Sequence, residues 1–222
     1  MTRVERVRGS ASAFHARSLP EDGQRHLWWF EVDRPALVLG STQSDAFVDS
    51  AACSRRDVEM VRRRSGGGAV LLVPDEVVWL DVVIARGDPC WDDDVGRAMW
   101  WIGEAWAQAL SGLGVAAADG SSPEVHRGGL VTTAWSRQVC FAGLGPGEVT
   151  LAGRKLVGVS QRRTRDAARF QCAVYRRWSP DLMLELLVPP RPAVDDLGVV
   201  ATVDHPVERI IDAVAAHFTA LG

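Results

Sequence analysis

The chain has 222 residues, 47% of them hydrophobic and 24% charged, with a formal net charge of −3. That is enough apolar material for one substantial core, and nothing resembles a long linker or an internal repeat, so one domain over 1–222 without a C-terminal accessory domain is expected. The mild acidity excludes a globally basic nucleic-acid surface, no apolar run approaches membrane-spanning length, and Met1 to Arg8 lacks the apolar core of a secretory signal, which together predict a cytoplasmic protein.

Along the chain the pattern alternates between strand and helix. Leu27 to Val32 and Ala36 to Leu39 read as short strands separated by Asp33-Arg34-Pro35, followed by a loop from Gly40 to Ser44. Asp57 to Met60 and Ala69 to Val73 read as strands on either side of a glycine loop. Val77 to Ile84 is an apolar strand interrupted only by Asp81, which places it in the middle of a sheet. The run Asp92-Asp93-Asp94 then suits the first turn of a helix from Val95 to Leu110 that ends near Gly112 and Gly114. Its tryptophans, Trp100, Trp101 and Trp106, suit core packing, or one of them a pocket wall. Val139 to Ala142, Val149 to Leu151, Leu156 to Ser160 and Ala173 to Tyr175 are predicted strands. A helix from about Asp204 to Leu221 closes the chain. The fold class is α/β (α+β), a mixed β-sheet flanked by helices.

The chemistry concentrates in two segments. Arg62-Arg63-Arg64-Ser65-Gly66-Gly67-Gly68-Ala69-Val70 feeds three arginines into a triple glycine that opens onto a strand. Consecutive glycines let backbone N–H groups approach an anionic ligand, and guanidinium groups supply matching charge; a plain hairpin turn with a solvated arginine face is the other reading. The loop lacks the Gly-Lys-Ser/Thr ending of a nucleotide P-loop, and no helix pattern follows it. The second segment runs Gly153-Arg154-Lys155-Leu156-Val157-Gly158-Val159-Ser160-Gln161. It reads as a hairpin whose turn carries the Lys155 cation, with Gly158 leaving room for a ligand to approach.

Cys53, Cys90, Cys140 and Cys172 form no C-x-x-C pair, so free thiols are expected rather than a zinc ribbon or a disulfide framework. His15, His26, His205 and His217 show no metal-ligand spacing, and no metal ligand is assigned. His126 beside Arg127 reads as a base or as an ordinary loop contact.

Together the two segments resemble the lipoate-protein ligase and octanoyltransferase family, which belongs with the biotin protein ligases. The family's Arg-Arg-x-Ser-Gly-Gly-Gly-Ala-Val motif matches Arg62 to Val70, and its Gly-x-Lys-(apolar)-x-Gly-x-(Ala/Ser)-Gln motif matches Gly153 to Gln161, in the same order. The resemblance implies a catalytic domain of that fold. Arg63, Ser65, Gly66, Gly67, Gly68 and Ala69 would line the acyl ligand beside a tunnel, joined by Gly158 and Gln161 as substrate-binding residues, and Lys155 would meet the acyl carbonyl.

Within the family, ligases activate free lipoate with ATP and magnesium, whereas transferases take the acyl group from a carrier-protein thioester through a cysteine. Val139-Cys140-Phe141-Ala142-Gly143 resembles the nucleophile segment of one octanoyltransferase subfamily, which makes Cys140 and Lys155 the expected catalytic pair. A thiolate accepts an acyl group as a thioester, and a neighbouring ammonium favours the thiolate. Otherwise Cys140 is a buried strand cysteine, and Cys172 ranks second as nucleophile. Leu71 to Glu76 carries neither the family's histidine nor the Gly-Asn pair of the ligases, which favours the transferase. That reading requires no cofactor. It implies acyl-carrier protein as donor and lipoyl-domain proteins (the glycine cleavage H protein or dehydrogenase E2 subunits) as acceptors, with no nucleic-acid or membrane partner. An ATP-dependent lipoate or biotin ligase and a non-catalytic acyl-binding homologue are the alternatives.

Overall fold

The computed structural model describes residues 2–197 and 200–220. Ten strands and five α-helices alternate along it: β1 (Thr2–Gly9), α1 (Ala11–Ala16), β2 (Arg25–Val32), β3 (Ala36–Leu39), α2 (Ser50–Arg55), β4 (Glu59–Arg62), β5 (Val70–Leu72), β6 (Val77–Ala85), α3 (Trp100–Gly112), β7 (Glu124–Val125), β8 (Val149–Leu151), β9 (Arg154–Arg163), β10 (Ala167–Tyr175), α4 (Pro180–Glu185) and α5 (Val207–Ala220). A seven-stranded sheet has the order β1-β2-β6-β10-β9-β8-β7, and a three-stranded sheet the order β4-β3-β5. Both are mixed: β1 runs parallel to β2 and β4 parallel to β3, and the other pairings are antiparallel.

Strand periodicity sorts the side chains into layers. On β6, Val78, Leu80, Val82 and Ile84 pack with Ile102, Trp106 and Leu110 of α3 and with Ile210, Val214 and Phe218 of α5. Val77, Trp79 and Val83 face the other way and meet Val38, Val61 and Leu72 of the small sheet. The far side of that sheet, Leu37, Leu39 and Leu71, is covered by Ala52 and Cys53 of α2 and by Met183 of α4. The order is therefore helices, large sheet, small sheet, helices. An all-apolar strand fits β6 because both of its faces are covered.

Asp81 is the one charged residue in β6 and is fully buried. It accepts from Arg169 Nε on the adjacent strand β10 at 2.5 Å and from Trp79 Nε1 at 2.6 Å. The pair explains why a central strand tolerates a carboxylate.

Several expectations change. Val139 to Ala142 is not a strand. Only Val139 forms a bridge, parallel to Ala69, and Cys140–Ala142 turn in a 3₁₀ helix closed by Gly143 N–H donating to the Cys140 carbonyl at 3.3 Å; a four-residue apolar run does not by itself separate strand from turn. The helix expected from Val95 starts at Trp100 after a 3₁₀ turn at Arg97–Met99, and Asp94 Oδ1 accepts from the N–H groups of Gly96 and Arg97 at 2.8 and 3.0 Å. The acidic run therefore caps the 3₁₀ turn ahead of α3. The expected Asp57–Met60 strand is shifted to Glu59–Arg62, because Asp57 takes a left-handed φ of 50° in the turn before it. The expected closing helix corresponds to α5; Leu221 lies outside the described residues. β1, α1, α2 and α4 were not anticipated. β1 is an edge strand with three arginines and one glutamate among its eight residues, which hide the alternation that marks buried strands.

Candidate active site

The glycine loop joins β4 to β5 in the small sheet and leans over the 3₁₀ turn that carries Cys140. Arg62 and Arg63 hold it from two sides. Arg62 Nη1 donates to the carbonyls of Gly40 and Gln43 at 2.8 and 2.6 Å, and Arg63 Nη2 donates to the loop's own carbonyls at Gly66 and Gly68 at 2.8 and 2.9 Å. The buried Arg63 guanidinium thus braces the loop from within. Close packing explains the glycines. A Cβ at Gly68 would stand 2.6 Å from both Cys140 N and Val139 C, Gly67 has a φ of +99°, and a Cβ at Gly40 would lie 1.9 Å from the Gly67 carbonyl oxygen. Ala69 is buried beneath the loop, and it positions Cys140: the Cys140 N–H donates to the Ala69 carbonyl at 2.9 Å, and the Ala69 N–H to that of Gln138 at 2.8 Å.

Lys155 sits within β9. The tight turn before it is made by Ala152 and Gly153 at φ 47° and 73°, and the Lys155 side chain points inward and is 4% exposed. The turn therefore does not carry the cation, because strand alternation swings Arg154 outward and Lys155 inward. Nζ of Lys155 lies 2.7 Å from Glu148 Oε1, 3.1 Å from the Cys140 carbonyl oxygen, 3.2 Å from that of Gly143 and 3.8 Å from Cys140 Sγ. Burial pulls its pKa down, but the attraction of Cys140 and Glu148 outweighs burial and leaves it above the ordinary lysine value. The amine is an ammonium at neutral pH.

Glu148 escaped the sequence reading. A single glutamate between Gly147 and Val149 carries no pattern signal, yet its side chain is 5% exposed and fully engaged. Oε2 accepts from the Gly145 N–H at 2.7 Å, and Oε1 from the Val159 N–H at 3.1 Å as well as from Lys155.

Of the other anticipated residues, Arg63, Gly66, Gly67, Gly68, Gly158 and Gln161 divide between two spaces that meet at Cys140, whereas Ser65 and Ala69 line neither. One is a wide cleft of about 770 Å³ bordered by Gly66, Gly67, Gly68, Cys140, Glu148, Lys155, Ser160 and Gln161, with exposed Leu130 and Val95 among its lining residues. Both amide atoms of Gln161 are buried there and have no hydrogen-bond partner among the described residues. The second is an apolar cavity of about 40 Å³ between the two sheets, lined from the small sheet by Val38, Val70 and Leu72 and from the large one by Trp79, Gly158, Val159 and Ala173, with Arg63, Cys140 and Phe141 alongside. The loop glycines thus border the cleft and not this cavity.

Gly158 faces the apolar cavity and also packs against protein. A Cβ there would meet Phe141 Cε2 and Cζ at 2.9 Å, so the glycine admits the Phe141 ring, which in turn lies 4.8 Å from Lys155 Nζ. Ser65 faces inward: its Oγ lies 3.0 Å from Ser160 Oγ and donates to Gln171 Oε1 at 2.9 Å, and Gln171 Nε2 donates to His15 Nδ1 at 3.1 Å. His15 lines the cavity and is held neutral, its pKa pushed down to about 3 by burial and then by Arg169 and Arg63.

All four cysteines are free thiols. Cys172 is fully buried in β10, and burial, then Asp81, raises its thiol far above the ordinary range, so it is unsuited to act as a nucleophile. His126 Nε2 contacts the Gly129 carbonyl at 2.8 Å, an ordinary loop contact. Among the described residues no group of three or more His, Cys, Asp or Glu side chains is placed to hold a metal, and no helix is long and apolar enough to cross a membrane.

The mixed sheet backed by helices, with a glycine loop, a cysteine and a buried lysine at one cleft, is a catalytic domain of the lipoyl protein ligase class. The chain belongs to the lipoyl protein ligase A/B catalytic domain family, which residues 12–220 match. Octanoyltransferase LipM of Kyrpidia tusciae is 32% identical over 165 residues, which cover 74% of this chain and 59% of that protein. Among solved structures, the fold is shared with protein Ta0514 of T. acidophilum bearing bound lipoic acid (TM-score 0.75, 17% identity, 99% of this chain and 84% of that one). It is shared too with a lipoate-protein ligase A bound with ATP (TM-score 0.74, 16% identity, 99% and 85%). A third match is a bipartite lipoate protein ligase from Thermoplasma acidophilum, studied with its E2 lipoyl domain (TM-score 0.71, 16% identity, 99% and 82%).

Proposed function

We propose that this chain is an octanoyl or lipoyl transferase in which Cys140 carries the acyl group. The observation that carries the reading is the position of Cys140, with its Sγ 3.8 Å from a buried lysine ammonium at the junction of an open cleft and an apolar cavity. The acyl chain enters between the sheets, and the rest of an acyl-carrier-protein thioester occupies the cleft beside Gly66 to Gly68, with the unpartnered Gln161 amide offered to its polar groups.

The Cys140 thiolate attacks the thioester carbonyl, forming an S–C bond and a tetrahedral oxyanion. Collapse breaks the bond to the carrier's sulfur, which leaves as a thiolate and takes up a proton. The amine of a lipoyl-domain lysine then attacks the acyl-enzyme, the C–N bond forms, and Cys140 departs as a thiolate while the amine's proton passes to solvent. The Lys155 charge favours the thiolate and both oxyanions, where fixed electrostatics count most.

The 32% identity to an octanoyltransferase supports a transferase over a ligase. A lipoate-protein ligase A bound with ATP shares the fold, and the cleft is wide enough for a nucleotide, so an ATP-dependent ligase is the second reading. Intact mass spectrometry after incubation with octanoyl-acyl-carrier protein and no ATP separates them. A hydroxylamine-sensitive octanoyl adduct, present in the native chain and Cys172→Ala but absent in Cys140→Ala, is expected. ATP-dependent acylation of a lipoyl domain that survives Cys140→Ala would replace the transferase by the ligase, and acylation in neither arm would leave a binding protein.

A further inference from the structure

His15 is 9% exposed and lines the apolar cavity, yet its Nε2 atom is buried without a hydrogen-bond partner among the described residues. The network around the ring assigns its tautomer. Gln171 lies between Ser65, which donates to its Oε1, and Asp81, which takes a hydrogen bond from it. That carboxylate is paired with Arg169 and only accepts, so the amide nitrogen of Gln171 serves both Asp81 and His15 Nδ1. Nδ1 is therefore the acceptor. Burial, and then Arg169 and Arg63, hold the imidazole neutral, so its single proton sits on Nε2. A buried N–H without an acceptor is rare in a folded chain and costs free energy until something meets it.

The sheet register sets this donor across the cavity from the reacting end. Gly158, Ala173 and Trp79 are cross-strand partners and form one row over β9, β10 and β6. Phe141, next to Cys140, packs on Gly158 at one end of the row, and the His15 ring lies 4.7 Å from that of Trp79 at the other. Two strand spacings separate these ends, about 10 Å. A medium-length acyl chain held at Cys140 and laid across the row, beneath Val38, Val70 and Leu72 of the small sheet, brings its far end to His15.

We propose that His15 is a specificity-determining residue whose Nε2–H group receives a hydrogen-bond acceptor near the far end of the acyl chain, so that the preferred acyl group is of medium length and bears an oxygen or sulfur there. A plain octanoyl chain fills the same space and leaves the donor unmet. The inference deepens the acyl-transfer reading and rests on it for the identity of the occupant, whereas the binding it predicts is a property of the free protein.

The test is calorimetric titration of the native chain and of His15→Phe with octanoic acid and with 7-oxooctanoic acid, which differ by a ketone near the far end. Phenylalanine keeps an aromatic ring against Trp79 and removes the donor. The ketone meets an N–H in the native chain and is buried unpaired in the variant, so the ratio of the two Kd values should shift against 7-oxooctanoic acid by on the order of 10-fold or more. The same ratio in both chains overturns the proposal, since water and not the acyl tail then meets Nε2, and so does the absence of binding by both acids. If His15→Phe does not fold, as judged by its thermal melt, the native chain carrying isotope-labelled histidine decides. The Nε2–H resonance of His15, identified by its loss in His15→Gln, should move downfield with 7-oxooctanoic acid and much less with octanoic acid; an equal response to both overturns the proposal. If the native chain forms no octanoyl adduct while the Kd ratio shifts as expected, the transferase reading fails and the His15 assignment stands; an adduct with an unshifted ratio does the reverse.

Discussion

At the scale of single residues, three glycines that look alike in sequence do different work. A Cβ at Gly66 meets nothing within 4 Å, whereas one at Gly68 would press on backbone atoms of Val139 and Cys140 at 2.6 Å and on the Ser136 carbonyl oxygen at 2.8 Å. Backbone cannot move aside as a flexible side chain can. Gly68→Ala should therefore displace the turn that carries Cys140, lowering stability by about 1–3 kcal/mol and suppressing acylation of Cys140. Gly66→Ala should leave stability within about 0.5 kcal/mol of the native value. Urea unfolding and the octanoyl-adduct assay on the two variants check this, and equal effects would show that loop flexibility, and not the contact with Cys140, is what the glycines supply. His15 offers a second residue-scale prediction. The unfolded chain protonates this imidazole near its ordinary pKa of 6.5, while the folded chain does so only near 3. The unfolded state thus binds more protons between these values, and the stability present above pH 6.5 is lost as pH falls toward 3, with a slope of up to about 1.4 kcal/mol per pH unit. Urea midpoints measured at pH 7, 6 and 5 should fall more steeply for the native chain than for His15→Gln; parallel curves would contradict the burial of a neutral imidazole.

At the scale of elements, buried charge joins β6 to β10. Asp81 and Arg169 are 0% and 1% exposed, and Arg169 Nη2 also donates to the Phe14 carbonyl of α1 at 2.9 Å, so one guanidinium links the two central strands to the N-terminal helix. Asp81→Asn strands that guanidinium and should cost about 3–5 kcal/mol in denaturant unfolding, whereas Asp81→Leu combined with Arg169→Met should cost far less, since both desolvated charges then disappear together. A double variant as unstable as the single one would mean that the pair shapes the strands in a way apolar packing cannot replace. The same strands show what a sequence discloses. β6 was legible because a strand covered on both faces is apolar throughout, and α5 because Ile210, Ile211, Val214 and Phe218 repeat at helical spacing. β1 and α1 were not, since an edge strand and a one-and-a-half-turn helix bury too few residues to set a period. In the site, the glycine loop, Cys140 and Lys155 stood out by motif. Glu148, His15 and Gln171 gained their meaning only when folding brought distant segments together, as with the 156 positions between His15 and Gln171. The inward turn of Lys155 follows from strand parity, and the Phe141 ring against Gly158 comes from a turn seventeen positions earlier whose apolar run reads as a strand.

At the scale of the whole molecule, the apolar cavity is a seam between two sheets. Val38, Val70 and Leu72 come from the small sheet and Trp79, Val159 and Ala173 from the large one, so an acyl chain placed there touches both and adds apolar contact across their interface. Ligand that binds only the folded state raises stability by mass action, by about 2.7 kcal/mol at a hundredfold excess over Kd. For a chain of this size each kcal/mol corresponds to about 2–4 °C, so saturating octanoic acid should raise Tm by about 5–10 °C. Ala173→Leu, which pushes a branched side chain into the seam, should remove most of that rise even if it lowers the unliganded Tm, because the quantity compared is the shift within each variant. A chain-length series sharpens the same measurement. Acetate carries the carboxylate but almost no tail and should give little shift, while octanoate should give most of it, since each buried methylene contributes about 0.8 kcal/mol. Equal shifts for acetate and octanoate would mean that the carboxylate alone is bound, beside Lys155 or the arginines, and the space between the sheets would lose its assignment to the acyl chain.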